Sequence, residues 1–218
     1  ANFGASLAGQ IITVAVNFAS RRIFLAVMGS EYMGLGSLFG HILSFLSLAE
    51  PGFTAAVIYA YYRPIAEGDL ERITALNTFL SRVNLVSAAA SAAAGLALTP
   101  FLPQIADIPP GITDAAKVYL LSVANLSLGY VFASRRAFAF ANMQGYILTA
   151  YHTVFFAAMS FARLAVLRVT ASYEMYLAAS IAFGVAEDYA LHACLGKKYP
   201  FLKASAQLPH ESVRAVVR

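Results

Sequence analysis

The sequence predicts an all-α membrane protein, and three observations support that prediction. Hydrophobic residues make up 60% of the 218 residues and charged residues only 12%, whereas soluble domains are about 45–50% apolar and about 25% charged. The apolar residues form runs long enough for a spanning helix, which needs roughly 20 residues. These runs are rich in Ala, Leu and Phe and lack the alternation of strands, which argues against a barrel.

Six apolar segments follow one another, separated by short stretches in which Gly, Pro and Asp cluster. These residues favour chain reversals, so each stretch is expected to turn the chain back into the membrane. The predicted spans cover residues 4–29, 33–61, 73–101, 113–141, 145–167 and 172–196, and a basic tail follows at 197–218. We therefore expect a polytopic bundle of about six transmembrane helices.

The first segment places polar residues on one helical face. Asn17 and Arg21 lie seven and eleven residues after Gln10, and residues at those spacings lie within roughly 20° of one another around a helix. A charge that faces lipid costs about 2.5–3.5 kcal/mol at the bilayer centre, and this segment has no acidic residue to neutralise Arg21. The pattern predicts that Arg21 faces a wet cavity. Arg22 lies about 100° further round, where it serves either the same cavity or packing.

The second segment contains the dipeptide Glu50-Pro51. Proline lacks an N–H donor and kinks or interrupts a helix, which is tolerated where helices line a cavity. Glu50 and Pro51 are therefore a candidate hinge or coupling pair.

Asparagines recur on single faces of the third and fourth segments. Asn77 and Asn84 are seven residues apart, and Asn125 shares a face with Ser122 and Gly129. Such ladders either line a cavity or join helices through hydrogen bonds and small-residue packing. The sequence leaves both interpretations open.

The fifth and sixth segments carry ionisable residues. His152 and Arg163 are eleven residues apart and so share a face, while Glu187 and Asp188 lie near the inner end of the sixth segment. His152 and Arg163 fit the predicted cavity, and Glu187 with Asp188 forms a second candidate coupling pair. The alternatives are a histidine satisfied within the bundle and an acidic pair neutralised by the two lysines that end the segment.

The basic residues predict the orientation, because cytoplasmic loops collect Lys and Arg. With the N-terminus inside, the outer side holds only Lys117 and Arg168. The inner side then holds Arg63, Arg72, Arg135, Arg136, Lys197, Lys198, Lys203, Arg214 and Arg218. Both ends of the chain are therefore expected in the cytoplasm. This placement also accounts for the net charge of +4, so no nucleic-acid partner is expected.

Catalytic motifs are missing from the sequence. There is no His-Glu-x-x-His, no Walker-type phosphate loop and no Gly-x-Ser-x-Gly. The single cysteine, Cys194, excludes a cysteine-based zinc site. We expect neither an enzyme nor a bound metal or cofactor.

Residues 17–73 carry a family resemblance. Its elements are Arg21-Arg22 before Ile-Phe, Gly29 followed by Glu31-Tyr32, "LSLAE" at 46–50 and "YYRP" at 61–64. With these motifs the chain resembles the N-terminal half of Wzx-type polysaccharide flippases, of the multidrug/oligosaccharidyl-lipid/polysaccharide exporter superfamily. The resemblance is dense only in the first third of the chain. It departs from the family pattern at Pro51 and Asn84.

The resemblance implies a transporter of two six-helix lobes in the cytoplasmic membrane, of which this chain is one lobe. Its implied substrate is an undecaprenyl-pyrophosphate-linked oligosaccharide, and its implied partners are the bilayer, the second lobe, a polysaccharide polymerase and glycosyltransferases. Arg21, Arg22 and Arg163 would bind phosphate oxygens or acidic sugars. The other implied cavity residues are Gln10, Asn17, Asn77, Asn84, Asn125 and His152.

Three other functions stay open. A multidrug or cation exporter of the same superfamily would be expected to carry acidic residues deep in its cavity, whereas the deep charges here are basic. A membrane-embedded enzyme acting on lipid phosphates would use His41, His152 or His192, but no compact catalytic cluster is visible. A lone lobe could also be a scaffold that transports nothing.

Overall fold

A computed structural model describes residues 2–47, 50–105, 112 and 114–203, and these residues are almost entirely helical, with no strand among them. The expected all-α class is thereby confirmed. The helices are α1 (Asn2–Leu46), α2 (Glu50–Glu67), α3 (Leu70–Leu98), α4 (Leu102–Ile105), α5 (Ala115–Val131), α6 (Ser134–Ala141), α7 (Gly145–Thr170) and α8 (Tyr173–Lys198). Short 3-10 turns occupy Thr99–Phe101 and Pro200–Lys203.

Several helices are suited to a membrane by length and composition. Among the described residues, three stretches are long and apolar enough to cross a bilayer: Thr13–Phe45, Leu70–Ile105 and Gly145–Thr170. A fourth crossing results if α5 and α6, which are bent by 51° relative to each other, form one broken span. The described helices therefore fit a membrane protein with three or four such stretches, and the expected count of six stays a prediction.

Helix α1 consists of two arms joined at Gly29. This residue has φ 82° and ψ 178°, a conformation that only glycine adopts without strain. The break separates a first arm (residues 2–28) from a second arm (residues 30–46). It lies at the boundary between the first two predicted segments.

The second predicted segment is divided in the structure. The second arm of α1 ends at Leu46, and α2 begins at Glu50. Pro51 therefore lies in the first turn of α2, where a missing N–H costs little. The side chains of Glu50 and Pro51 lie outside the described part of the chain, so their role as a hinge or coupling pair stays a prediction.

Three apolar clusters of described residues hold the helices together. The smallest joins Ala139 of α6 to Leu191 and Leu195 of α8, and the other two are larger. In one, the buried Tyr61 and Leu76 join α2 and α3 to Phe138 of α6. In the other, Phe39 of the second arm packs on Tyr119 of α5, with ring centroids 5.2 Å apart. The chain is thus tied together around α3 and α5, and the first arm of α1 lies outside all three clusters.

The start of the predicted tail belongs to the packed bundle. Leu202 is buried in the cluster of Tyr61 and Leu76, the Thr74 hydroxyl donates to the carbonyl oxygen of Phe201 at 3.2 Å, and the Asn77 amide donates to that of Leu202 at 3.4 Å. These bonds anchor the turn at 200–203 on α3. The rest of the tail, residues 204–218, lies outside the described residues.

Candidate functional site

The polar face of the first arm is exposed. Gln10, Asn17 and Arg21 are all solvent-accessible, as is Phe18 beside them. Among the described residues no carboxylate forms an ion pair with Arg21 or its neighbour at position 22. The arm therefore presents an unneutralised guanidinium on a side that no other described helix covers.

The first arm is attached to the bundle along the side of the helix that adjoins this polar face. Ser20 and Phe24 are buried, and the Phe24 ring meets Tyr173 and Tyr176 of α8 at centroid distances of 5.4 and 5.3 Å. Arg21 lies about 60° from Phe24 around the helix. The polar face thus runs along the border of the packed surface.

Arg22 points away from this border. It lies about 160° from Phe24 around the helix and about 100° from Arg21, and it is exposed. The two adjacent arginines therefore face different surroundings, and Arg22 does not share the polar face of the first arm.

The asparagines of α3 are inside the bundle. Asn77 is 5% and Asn84 is 3% exposed, and on the same face Ser81 shares a 3.2 Å hydrogen bond with Ser134 of α6. Together with the bond from Asn77 to the carbonyl of Leu202, these contacts join α3 to its neighbours. The structure does not bring Asn77 and Asn84 onto the exposed face with Arg21.

Asn125 lines a cleft of about 280 Å³ between the second arm, α5 and α8. Its polar lining also includes Ser122 and Ser180, and Gly36 and Tyr173 form part of the wall. A Cβ atom at Gly36 would lie 2.6 Å from the Tyr173 hydroxyl oxygen, so glycine allows this close approach. The cleft offers several hydrogen-bonding groups in a small volume.

Arg163 is held by aromatic rings rather than by a carboxylate. Its guanidinium carbon lies 5.3 Å from the ring centroid of Tyr176 and 6.0 Å from that of Phe156, and its Nη2 donates to Ser160 at 3.5 Å. Its Nε is buried without a hydrogen-bond partner among the described residues. Because Tyr176 also touches Phe24, Arg163 and the first arm meet the same ring.

His152, Glu187 and Asp188 meet with a fourth residue, Arg136 of α6. The Arg136 guanidinium pairs with Asp188 and lies 3.6 Å from Glu187, and the Nδ1 atom of His152 lies 3.2 Å from Glu187 Oε1. The carboxylates are therefore neutralised by a residue assigned from sequence to the inner loops, not by the terminal lysines of α8. The separation of Arg136 from its partners, 51 and 52 residues, leaves no periodic signal in the sequence.

Arg135 also binds α8. Its guanidinium donates to the carbonyl oxygen of His192 at 2.6 Å, and the side chain is 9% exposed. Both arginines at the start of α6 thus tie this helix to α8. Both contacts lie directly after the 51° bend between α5 and α6.

One basic residue inside a candidate span escaped the sequence interpretation. Arg82 is exposed near the middle of α3, on the side of the helix opposite its buried asparagines. A signal was available, since Arg82 interrupts an apolar run much as Arg21 does.

The fold and these apolar helices are consistent with a helical membrane protein. The chain matches no protein-family model, no curated protein and no solved structure. The resemblance to Wzx-type flippases therefore rests on the motifs quoted above and stays a prediction. No group of three or more potential metal ligands occurs in the described part of the chain.

Proposed function

We propose that the chain is one six-span lobe of a transporter that flips an undecaprenyl-pyrophosphate-linked oligosaccharide across the cytoplasmic membrane, with both ends of the lobe in the cytoplasm. Three of the six crossings come from composite or divided helices. The first arm of α1 crosses alone, the second arm of α1 crosses together with α2, and α5 with α6 forms one broken span. Helices α3, α7 and α8 supply the other three. The location of the basic residues supports the orientation.

The observation that carries the proposal is the exposed, unneutralised Arg21. An arginine in an apolar helix is costly unless water or an anion meets it, and no described carboxylate does so. A second lobe facing the first arm would enclose a wet groove with Arg21 in its wall. A pyrophosphate in that groove would accept paired hydrogen bonds from the guanidinium.

Two further features support a substrate that is both anionic and hydroxylated. Arg163 keeps its charge without a carboxylate partner and shares Tyr176 with the first arm. The cleft at Asn125 offers hydrogen-bonding groups in about 280 Å³, just below the usual range for sites that take drug-sized ligands. It would accommodate a single sugar unit rather than a whole oligosaccharide.

The buried and ion-paired residues take other roles in this proposal. Asn77 and Asn84 join helices, and His152, Glu187 and Asp188 form an interhelical ion cluster. Arg22, on the far side of the first arm, is assigned to contacts with the second lobe. The substrate-facing set therefore reduces to Gln10, Asn17, Arg21, Asn125 and Arg163.

The test is an Arg21→Ala substitution in the gene as it occurs in the cell. Loss of charge-assisted hydrogen bonds worth about 1.5–3 kcal/mol should reduce surface polysaccharide by about 10- to 100-fold, with the lipid-linked precursor accumulating inside. The amount of protein in the membrane, measured by immunoblot, should not change. Arg21→Lys should retain part of the activity, because it keeps the charge but not the paired geometry.

Arg168→Ala is the matched control, since Arg168 is an exposed arginine in the last turn of α7. It should leave surface polysaccharide unchanged. Normal polysaccharide with Arg21→Ala would contradict the proposal. Increased drug sensitivity with normal polysaccharide would favour a cation exporter, although the described acidic residues Glu187 and Asp188 are already paired with Arg136.

A further inference from the structure

Four ionisable side chains from three helices form one charge cluster: Arg136 of α6, His152 of α7, and Glu187 and Asp188 of α8. Arg136 pairs with both carboxylates, and the imidazole lies 3.2 Å from Glu187. The two carboxylate side chains are only 13% exposed, whereas Arg136 is 39% and His152 is 57% exposed. The acids are thus shielded, and the imidazole covers them from outside.

The cluster lies away from the ends of α8. Glu187 is close to the middle of this 26-residue helix, about 16 Å from its C-terminal end at a rise of 1.5 Å per residue. Among the described residues, Lys197 and Lys198 at the end of the helix form no ion pair with these carboxylates. The charges must be balanced within the cluster.

The charges of the cluster do not cancel without a proton. Arg136 contributes one positive charge and the two carboxylates contribute two negative charges, so the sum is −1 while His152 is neutral. One added proton brings the sum to zero. Because an unbalanced charge on shielded carboxylates is unfavourable, the net charge of −1 favours binding of a proton.

Other ionisable groups on these helices do not supply the missing charge. Arg135 gives its hydrogen bond to the backbone carbonyl of His192 instead. His192 in turn packs against the Phe132 ring at a centroid distance of 5.5 Å. Arg163, eleven residues after His152 on α7, lies against the rings of Phe156 and Tyr176. The neighbouring Tyr151 of α7 is a phenol and brings no positive charge.

The helices packed against α7 and α8 from the other side do not supply it either. On α5, Lys117 is engaged by Asp114 and by Glu174 at the far end of α8. On α1, Arg21 and Arg22 are exposed and form no ion pair among the described residues. The imbalance therefore belongs to the four residues of the cluster.

We infer that the charge cluster is a proton-binding site, in which the His152 imidazole takes up one proton on its second ring nitrogen and donates a charge-assisted hydrogen bond from Nδ1 to Glu187. A proton fits better than a metal ion, because Asp188 is already paired with Arg136. In addition, the described residues contain no set of three or more side chains placed to bind a metal ion. Imidazole is the side chain that ordinarily changes charge between about pH 5 and pH 8. Uptake of the proton strengthens the contact between α7 and α8.

The site goes beyond the proposed transport activity and does not depend on the substrate. Its test uses the chain alone, in nanodiscs of phosphatidylcholine, whose headgroup does not titrate in this range. Thermal unfolding is followed by circular dichroism at about pH 5 and about pH 8, since the chain contains no tryptophan. The measured quantity is the difference between the two midpoints.

The expected result is a wild-type midpoint difference, pH 5 minus pH 8, that exceeds that of Glu187→Gln and of His152→Gln by about 2–4 °C. His41→Gln, which removes an exposed imidazole elsewhere, should keep the wild-type difference. If Glu187→Gln does not fold, the more exposed His152→Gln carries the comparison. A wild-type difference retained in His152→Gln would overturn the inference and leave the transport proposal untouched.

Discussion

Two helices of this protein carry polar faces with the same residue spacing, but one face is exposed and the other is buried. On α1, Asn17 follows Gln10 by seven residues and is exposed; on α3, Asn84 follows Asn77 by seven residues and is buried. Helical geometry treats the two faces alike. A polar face thus indicates that something must shield it from lipid, without indicating what does so.

The difference arises from the number of neighbours. Helix α3 is surrounded by α2, α5, α6 and the 3-10 turn at 200–203, so Asn77 and Ser81 on its polar face meet hydrogen-bond partners from the same chain. The first arm of α1 is attached along one edge, through Ser20 and Phe24. Its polar face is left for water, a ligand or another lobe.

The largest expected effect comes from placing a carboxylate on each face. Asn84→Asp would bury a charge without a partner, at a cost of about 3–5 kcal/mol, and should lower the thermal midpoint of the chain in nanodiscs by about 6–20 °C. Asn17→Asp on the exposed face can pair with Arg21, four residues on, and should change the midpoint by less than about 2 °C. Equal losses for the two variants would show that the faces do not differ.

A smaller effect is expected at Gly29, where the two arms of α1 meet. Gly29→Ala forces a side chain into a conformation that costs about 1–3 kcal/mol, so the midpoint should fall by about 2–12 °C. Gly34→Ala is the control, because Gly34 is helical and its added Cβ would meet no atom within 4 Å. It should be neutral or should stabilise by up to about 1 kcal/mol, and a loss as large as that of Gly29→Ala would argue against the break.

The smallest effect concerns the hydrogen bond between α3 and α6. A double-mutant cycle of Ser81→Ala and Ser134→Ala should give a coupling free energy of about 0.6 kcal/mol, typical of such bonds in membranes. Unfolding in a denaturing detergent would measure it. A coupling free energy near zero would mean that side-chain packing, and not this hydrogen bond, holds α3 against α6.

The helical segments were largely predictable, because apolar length and the residues that break it are local properties. The predicted spans 73–101 and 145–167 match α3 (Leu70–Leu98) and α7 (Gly145–Thr170) within a few residues. Gly29 marks the first boundary. Pro51 predicted a kink or an interruption in the second segment, and α2 begins one residue before it, at Glu50. By contrast, the 51° bend after α5 was not predicted, since it depends on what the next helix packs against.

The candidate site was predictable only in part. Gln10, Asn17 and Arg21 share one accessible face as expected, and Asn125 lines a cleft. The partner of Glu187 and Asp188 was missed, because Arg136 reaches them across more than 50 residues. The pairing of distant residues carries no periodic trace that a single sequence would reveal.

By itself, the sequence determined that this protein is helical, that it is suited to a membrane and which helix faces are polar, because composition and spacing act within one helix. The tertiary structure decided which polar face is buried, which arginine neutralises the acids of α8 and where the chain bends. Those outcomes depend on side chains that meet only after the helices pack, where the cost of an unpaired polar group selects its partner.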